Sequence, residues 1–67
     1  MHKPSAYQDV ATIAAKLELN GNYARAAEFW QTARRLAKNT ANEFWSQTRA
    51  ELCVQKANEI LSGSFLK

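Results

Sequence analysis

The stretch LELNGNYARAAEFWQTARRLA, residues 17–37, decides the fold of this chain. Near its start, Asn20-Gly21 pairs two residues that tolerate the left-handed backbone conformation with which helices end. Asn22 is placed to cap a second helix over residues 22–39. Apolar side chains then recur at three- and four-residue spacings, which predicts one buried face: Tyr23, Ala26, Ala27, Trp30, Ala33, Leu36 and Ala37. This helical hairpin is either half of a partner-binding unit or ordinary core in a domain that works elsewhere.

Upstream of the hairpin, the sequence predicts a first helix over residues 5–20, preceded by a flexible lead-in of residues 1–4. Ser5 can cap the backbone N–H of Gln8 while Gln8 reaches back, which is the pattern of a capping box. The apolar positions again form a stripe with helical spacing: Tyr7, Val10, Ala11, Ile13, Ala14 and Leu17.

Downstream, Thr40 and Glu43 offer a second capping box and predict a longer third helix over residues 41–62. Ser62-Gly63 is expected to stop this helix and to leave residues 63–67 as a short tail. Its apolar set is Phe44, Trp45, Thr48, Leu52, Cys53, Ala57, Ile60 and Leu61. Short connections pack neighbouring helices antiparallel, so residues 1–67 are predicted to form one compact all-α domain of three helices.

The size and composition of the chain limit what it can be. Sixty-seven residues bury a small core, so a monomer is marginal, and self-association or a partner is the expected extra support. The single Cys53 fits a reducing compartment. No charged segment leads into an apolar run, and no stretch approaches the ~20 apolar residues of a membrane span, so we expect a soluble cytoplasmic protein without membrane contact. The net charge of +3 permits nucleic-acid contact without requiring it.

The residues needed for catalysis are missing from the pattern. The single histidine, His2, lies in the predicted lead-in, so a Ser–His or Cys–His nucleophile is not expected. One Cys and one His cannot make a structural zinc site, and no glycine-rich phosphate loop is present. The sequence therefore predicts a protein that is not an enzyme, with no catalytic residues, no metal site and no cofactor.

Trp45, Arg49 and Cys53 are spaced four residues apart and share one side of the third helix. An arginine in this position can lay its stem on the indole and send its guanidinium to a carboxylate or a helix C-terminus. We therefore interpret Arg49 as a brace between helices, with a partner contact as the alternative. Cys53 is interpreted as a small buried residue, with redox sensing as the alternative. Trp30 and Trp45 are both predicted to lie in the core.

Three features are candidates for contact with a partner. Phe29 and Phe44 lie one position off the apolar stripes, and Phe65-Leu66 forms an apolar pair after a glycine. The third is a basic cluster on the second helix, made of Arg25, Arg34, Arg35 and Lys38. A solvated face is the favoured interpretation of this cluster, and DNA or an acidic protein surface are the alternatives.

Residues Leu17–Ala33 contain G-x-Y-x-x-A-x-x-F-W-x-x-A, which resembles the hinge of a tetratricopeptide repeat. In such a hinge the glycine makes the turn, the tyrosine packs across it, and small alanines let the helices approach. Solenoids usually need about three repeats, and the third helix departs from the repeat pattern. The hairpin is therefore repeat-like, while the chain is not a repeat array.

A longer pattern, A-x-x-L-E-x-x-G-x-Y-x-x-A-A-x-x-W-x-x-A-x-x-L-A followed by W-x-x-x-R-x-x-x-C, resembles the ANR family of AraC-type negative regulators. The matching positions are Ala14, Leu17, Glu18, Gly21, Tyr23, Ala26, Ala27, Trp30, Ala33, Leu36, Ala37, Trp45, Arg49 and Cys53. PerC-like regulators share a similar block, so the two groups are not separated by these residues. The matched positions look chiefly like determinants of the fold.

The resemblance implies a small cytoplasmic regulator of transcription, often of virulence genes, that binds an AraC/XylS-type activator and blocks it. We expect a homo-oligomer, with a dimer as the first hypothesis. Two alternatives remain: direct DNA binding through the basic cluster, and a repeat-like adaptor that holds a peptide in a groove near Tyr23.

Overall fold

The computed structural model describes the backbone of residues 5–66 and the side chains of residues 5–62. In this part the chain forms three helices and no strand: α1 is Ala6–Leu19, α2 is Tyr23–Leu36 and α3 is Thr40–Leu66. The predicted all-α class is confirmed, as is the greater length of the third helix. The predicted lead-in of residues 1–4 lies outside the described residues. None of the three described helices has both the length and the apolar character to cross a bilayer.

The turn between α1 and α2 is a Schellman motif centred on Gly21. The Gly21 N–H donates to the Glu18 carbonyl at 3.0 Å, and the Asn22 N–H donates to the Leu17 carbonyl at 2.8 Å. Gly21 takes the left-handed conformation with φ of 78°, whereas Asn20 stays at φ −86°. A residue with a Cβ would be strained at Gly21, so the glycine fixes the direction in which α2 leaves.

Two of the three predicted N-caps need correction. Ser5 does accept a hydrogen bond from the Gln8 N–H at 3.0 Å. Asn22 precedes α2, but its side chain makes no capping bond. At α3 the cap is Asn39, whose Oδ1 accepts from the Asn42 N–H at 2.8 Å, so the predicted capping box of Thr40 is wrong. Asparagine is the stronger N-cap residue, and Thr40 becomes the first residue of the helix.

The helix ends also differ from the prediction. α2 stops at Leu36, three residues early, because Ala37 is extended at φ −65° and ψ 137°. In contrast, α3 runs through Gly63 to Leu66, so the predicted stop and tail are wrong. A single glycine costs a helix only about 1 kcal/mol relative to alanine, which does not end it. The side chains of Phe65 and Leu66 lie outside the described residues.

The core is built mostly from small side chains. α2 contacts both neighbouring helices extensively, and α1 and α3 pack on it from two sides. The buried set is Ala14, Ala26, Ala27, Trp30, Ala33, Ser46, Ala50 and Cys53. Small residues at the contacts let helix axes approach closely. Around this set pack the half-buried Tyr7, Val10, Ala11, Leu17, Tyr23 and Phe29.

Several predicted core residues are at the surface instead. Trp30 is buried as predicted, but Trp45 is 52% exposed. The other exposed members of the predicted stripes are Ile13, Leu36, Thr48, Ile60 and Leu61. The face of α3 that enters the core carries Ser46, Ala50 and Cys53, and the close helix contacts leave no room there for an indole. Conversely, the sequence predicts Phe29 at the surface, whereas the structure packs its side chain against the core.

Candidate partner-binding groove

A carboxylate near the end of α1 joins all three helices. The Trp30 indole on α2 donates its Nε1–H to Glu18 Oε2. Arg49 on α3 donates from Nε to the same oxygen at 3.3 Å and from Nη2 to Glu18 Oε1. Both partners of the ion pair are mostly buried, with side-chain exposures of 29% for Arg49 and 13% for Glu18. We call this set, Glu18, Trp30 and Arg49, the ionic junction.

Arg49 also contacts the second tryptophan. Its guanidinium carbon lies 5.4 Å from the centre of the Trp45 ring, within the range of a cation–π contact. The hydrogen bonds to Glu18 raise the pKa of Arg49 above its ordinary value. The predicted brace is thus confirmed, with an indole under the guanidinium and a carboxylate beyond it.

Cys53 lies next to the ionic junction and is only 1% exposed. Burial raises the pKa of its thiol to about 11, and the nearby Glu18 charge adds to this shift. A thiol with this pKa stays protonated and weakly nucleophilic at neutral pH. The interpretation of Cys53 as a buried packing residue is supported over redox sensing.

Above the ionic junction, α1 and α3 form the two walls of a groove of about 630 Å³, and α2 forms its floor. The lining residues are Ala15, Glu18, Leu19, Tyr23, Trp30, Trp45, Arg49, Leu52, Cys53 and Lys56. Leu19 is 88% exposed on the α1 wall, and Trp45 is half-exposed on the α3 wall. Glu18 and Arg49 neutralise each other, so Lys56 is the one lining charge without an ion-pair partner among the described residues.

A second polar contact joins α1 to α3 toward the other end of α1. The Ser46 hydroxyl donates to the Asn42 carbonyl at 2.7 Å and lies 3.1 Å from the Tyr7 hydroxyl oxygen. The Tyr7 hydroxyl donates to the same carbonyl at 3.4 Å. Ser46 is fully buried, and these contacts satisfy its hydroxyl. We call Tyr7, Asn42 and Ser46 the neutral junction.

The groove gathers much of the sequence pattern that resembles the ANR family. Six of its positions line the groove: Glu18, Tyr23, Trp30, Trp45, Arg49 and Cys53. Four alanines of the pattern, Ala14, Ala26, Ala27 and Ala33, lie in the core, and Gly21 makes the turn. The sequence pattern predicts these residues as determinants of the fold, and it does not indicate that Glu18, Trp45 and Arg49 share an open surface. The spacing of Glu18 relative to Trp30 and Arg49 gave no signal of this, because the contact crosses three helices.

Of the four residues in the predicted basic cluster, the structure brings three together and leaves Arg25 apart. Arg34, Arg35 and Lys38 line a shallow depression at the α2–α3 turn, together with Asn39 and Glu43. Arg25 lies outside that depression, near the start of α2. Arg34 and Arg35 occupy the last turn of α2, where positive charge offsets the negative end of the helix dipole.

The two predicted aromatic candidates also differ. Phe44 is 69% exposed, as predicted, but it lies outside the groove, whereas Phe29 is half-buried. No three His, Cys, Asp or Glu side chains in the described part of the chain form a grouping suited to a metal ion.

Comparison with known proteins gives no further guide. No protein-family model matches the chain, and neither the curated proteins nor the solved structures yield a match. The resemblance to ANR regulators therefore rests on the residues quoted above and on where the fold places them.

Proposed function

We propose that this chain is a small bacterial regulator of transcription that works in the cytoplasm by binding another protein. Its partner is an AraC/XylS-type activator, which it antagonises, as the resemblance to ANR regulators implies. The observation that carries the proposal is the groove between α1 and α3. Six residues of the family-like pattern meet there beside an exposed apolar rim.

The groove has the features of a protein-binding site. Tryptophan and arginine are the residues most enriched at the energetic centres of interfaces, and here Trp45 and Arg49 stand side by side. Two apolar side chains, Leu19 and Trp45, face solvent on opposite walls. A helix of the activator that places an apolar side chain between these walls would bury both of them.

The ionic junction prepares this surface before the partner arrives. The Glu18 carboxylate fixes the Arg49 guanidinium, and the guanidinium lies over the Trp45 ring. A side chain held in place in the free protein loses less conformational entropy on binding, which favours affinity. Glu18 and Arg49 thus act as positioning residues for Trp45.

The mechanism is occlusion of the activator. An inhibitor shifts an equilibrium only by binding one state more tightly than another. We propose that the groove holds a helix of the activator in its monomeric or DNA-free state and so disfavours dimerisation or DNA binding. Repression of the activator's target genes follows, including genes of virulence.

The test is a calorimetric titration of purified AraC/XylS-type activators from the same bacterium into the wild-type chain and two variants. Trp45→Ala removes the exposed indole of the groove, and we expect it to weaken binding at least tenfold. Phe44→Ala is the matched control, because Phe44 is the neighbouring residue, is more exposed than Trp45 and lies outside the groove. Its affinity should stay within twofold of wild type. Absence of a complex with every activator at micromolar concentration would refute the proposal.

The second candidate function is direct DNA binding at the α2–α3 turn. Its supporting observation is the depression in which Arg34, Arg35 and Lys38 lie together. Duplex binding through these side chains weakens steeply as salt increases. Gel shifts at low salt with wild type and with the Arg34→Gln/Arg35→Gln double variant test the DNA-binding candidate. No shift of duplex DNA by the wild-type chain would rule it out.

The repeat-like adaptor stays a third hypothesis. Tyr23 lines the same groove, so an adaptor and an activator antagonist would use one surface. They differ in occupant: the adaptor binds short peptides in isolation, whereas the antagonist requires the folded activator.

A further inference from the structure

The third helix is much longer than the two that support it. α3 has 27 residues and α2 has 14, which correspond to about 40 Å and 21 Å at 1.5 Å per residue. The two helices are antiparallel, and Leu61 lies beside the α1–α2 turn at Gly21–Ala24. The part of α3 beyond Leu61 therefore extends past the end of the hairpin.

On the side of α3 away from the groove, apolar residues face solvent. Val54 is 45% exposed and Leu61 is 61% exposed. Together with α2 they border a shallow depression of about 580 Å³. We call this the α2–α3 face and define it by Ala24, Ala27, Val54, Ala57, Asn58 and Leu61. It is separate from the groove, because none of these six residues lines the groove.

The α2–α3 face is suited to pairing with itself. Val54 and Leu61 lie at equal distances in sequence from the Ala57-Asn58 pair, so an antiparallel α3 of a second copy would place each Val54 opposite a Leu61. The two Asn58 amides would then meet near the two-fold axis, and a side-chain amide can donate and accept at once. The small Ala57 allows close approach of the helices.

The charges on α3 also fit this arrangement. Between Glu51 and Ser62 its two charged residues are Lys56 and Glu59, and neither borders the depression. Lys56 lines the groove on the other side of the helix. On α2, Glu28 and Arg35 border the depression, so the charges of this face lie on α2, one of each sign. The α3 centre of a two-fold contact at Asn58 therefore carries no charge, and charge-poor centres are typical of protein interfaces.

From these observations we infer that the α2–α3 face is a two-fold interface between two copies of this chain. Val54 and Leu61 expose on the order of 200 Å² of side chain per copy, well below the ~800 Å² per partner of a standard interface. The neighbouring alanine-lined depression adds to this area. We therefore expect a weak, concentration-dependent dimer that leaves the groove open to another partner. This inference is independent of the proposed function.

Sedimentation velocity of the wild-type chain from 1 to 500 µM tests the inference. The sedimentation coefficient should rise with concentration from monomer to dimer. Leu61→Glu should raise the dissociation constant at least tenfold, whereas Phe44→Glu, at a more exposed site on the same helix, should leave it unchanged. Circular dichroism of both variants checks that they are folded. A wild-type chain that is monomeric throughout, or a dimer that Leu61→Glu leaves intact, would overturn the inference.

A cross-link locates the axis independently of any loss of folding. Asn58→Cys places a thiol next to the proposed two-fold axis, and a short bis-maleimide should join two copies through it. The native Cys53 is buried, so the wild-type chain provides the background. Phe44→Cys is the exposed control and should not form the dimer band. Equal cross-linking of the two variants would contradict the proposed axis.

Discussion

The ionic and neutral junctions join the same two helices by different chemistry. Toward the start of α1, Tyr7 meets the fully buried Ser46 in a set of neutral hydroxyl and carbonyl contacts. Toward the end of α1, Glu18 meets Arg49 and Trp30 in a charged contact that solvent still reaches. Both span α1 and α3, which otherwise pack mainly on α2.

The two junctions differ in whether they contribute to a surface that a partner can reach. Hydroxyl contacts at a buried serine are satisfied within the chain and offer nothing to a partner. The ionic junction also satisfies its own charges, but it ends at the exposed face of Trp45. The neutral junction thus only stabilises the contact between α1 and α3. The ionic junction stabilises the same contact and also lines the groove.

Breaking the ionic junction should have the largest effect on stability. Glu18→Leu removes the acceptor of both Trp30 and Arg49 and leaves a mostly buried guanidinium without a partner. We expect the free energy of unfolding to fall by about 3 kcal/mol, measured by urea denaturation. Glu18→Gln keeps one acceptor oxygen and should cost clearly less. A loss below about 0.5 kcal/mol, which is the value of an exposed ion pair, would show that the junction is not a brace.

The free energy of unfolding should decrease at alkaline pH because the thiol of Cys53, which lies next to the ionic junction, has a raised pKa. The thiol ionises near its ordinary pKa of 9.0 in the unfolded chain and at about 11 in the folded chain. The unfolded state therefore loses a proton that the folded state retains, and stability decreases from about pH 9 to pH 11, by roughly 2 kcal/mol. Urea titrations at pH 8, 9, 10 and 11 measure the slope, and the Cys53→Ala variant should lack this component.

A second measurement against pH tests whether the Glu18 carboxylate affects the pKa of the Cys53 thiol. Because the Glu18 charge contributes to the raised pKa of Cys53, Glu18→Gln should lower the pKa of the thiol. The pH dependence of the free energy of unfolding, measured for wild type and Glu18→Gln with and without Cys53→Ala, reads this without access to the buried thiol. An unchanged profile in Glu18→Gln would mean that burial alone sets the pKa.

The neutral junction should contribute less. Tyr7→Phe removes one hydroxyl, while Ser46 keeps its 2.7 Å bond to the Asn42 carbonyl. We expect a loss of about 0.5–1 kcal/mol in urea denaturation, with no dependence on ionic strength. The cost of Glu18→Leu should, in contrast, shrink as salt rises, because the charges are partly exposed. Equal salt dependence at both junctions would remove the distinction between them.

The smallest effect concerns the outer end of the ionic junction. A double-mutant cycle of Trp45→Leu and Arg49→Met isolates the contact between indole and guanidinium. We expect a coupling of about 0.5–1 kcal/mol, as for other cation–π contacts that solvent reaches. A coupling of zero would mean that Arg49 does not position Trp45 in the free protein, which would contradict its proposed role in the groove.

Helix number, the Gly21 turn and the Arg49 brace could be predicted from the sequence, because each depends on local chemistry. A Schellman turn needs a residue that tolerates positive φ, and the four-residue spacing of Trp45, Arg49 and Cys53 places them on one helix face. The partner of Arg49 could be predicted only as a carboxylate or a helix C-terminus. The identity of Glu18 depends on how α1 and α3 both pack on α2, which no spacing within one helix encodes.

The wrong predictions about which α3 residues lie in the core have one physical cause. The apolar stripe predicted for α3 places Trp45 in the core and omits Ser46 and Ala50, whereas the structure buries Ser46 and Ala50 and exposes Trp45. In closely packed helices the contact surface is made by the small residues, and large side chains are displaced to the edges. The run Ser46, Ala50 and Cys53, at spacings of four and three, was the signal in the sequence that marks the true inner face of α3.

The central claim is that the groove between α1 and α3 receives the partner, and the two indole N–H signals test it most directly. Trp30 and Trp45 are the two tryptophans of the chain, one on the floor and one on the wall of the groove. In ¹H–¹⁵N spectra of the labelled chain titrated with an AraC/XylS-type activator, both indole signals and the Leu19 and Leu52 amides should shift. Shifts confined to the Arg34–Lys38 depression or to the α2–α3 face, with both indoles unmoved, would contradict the account.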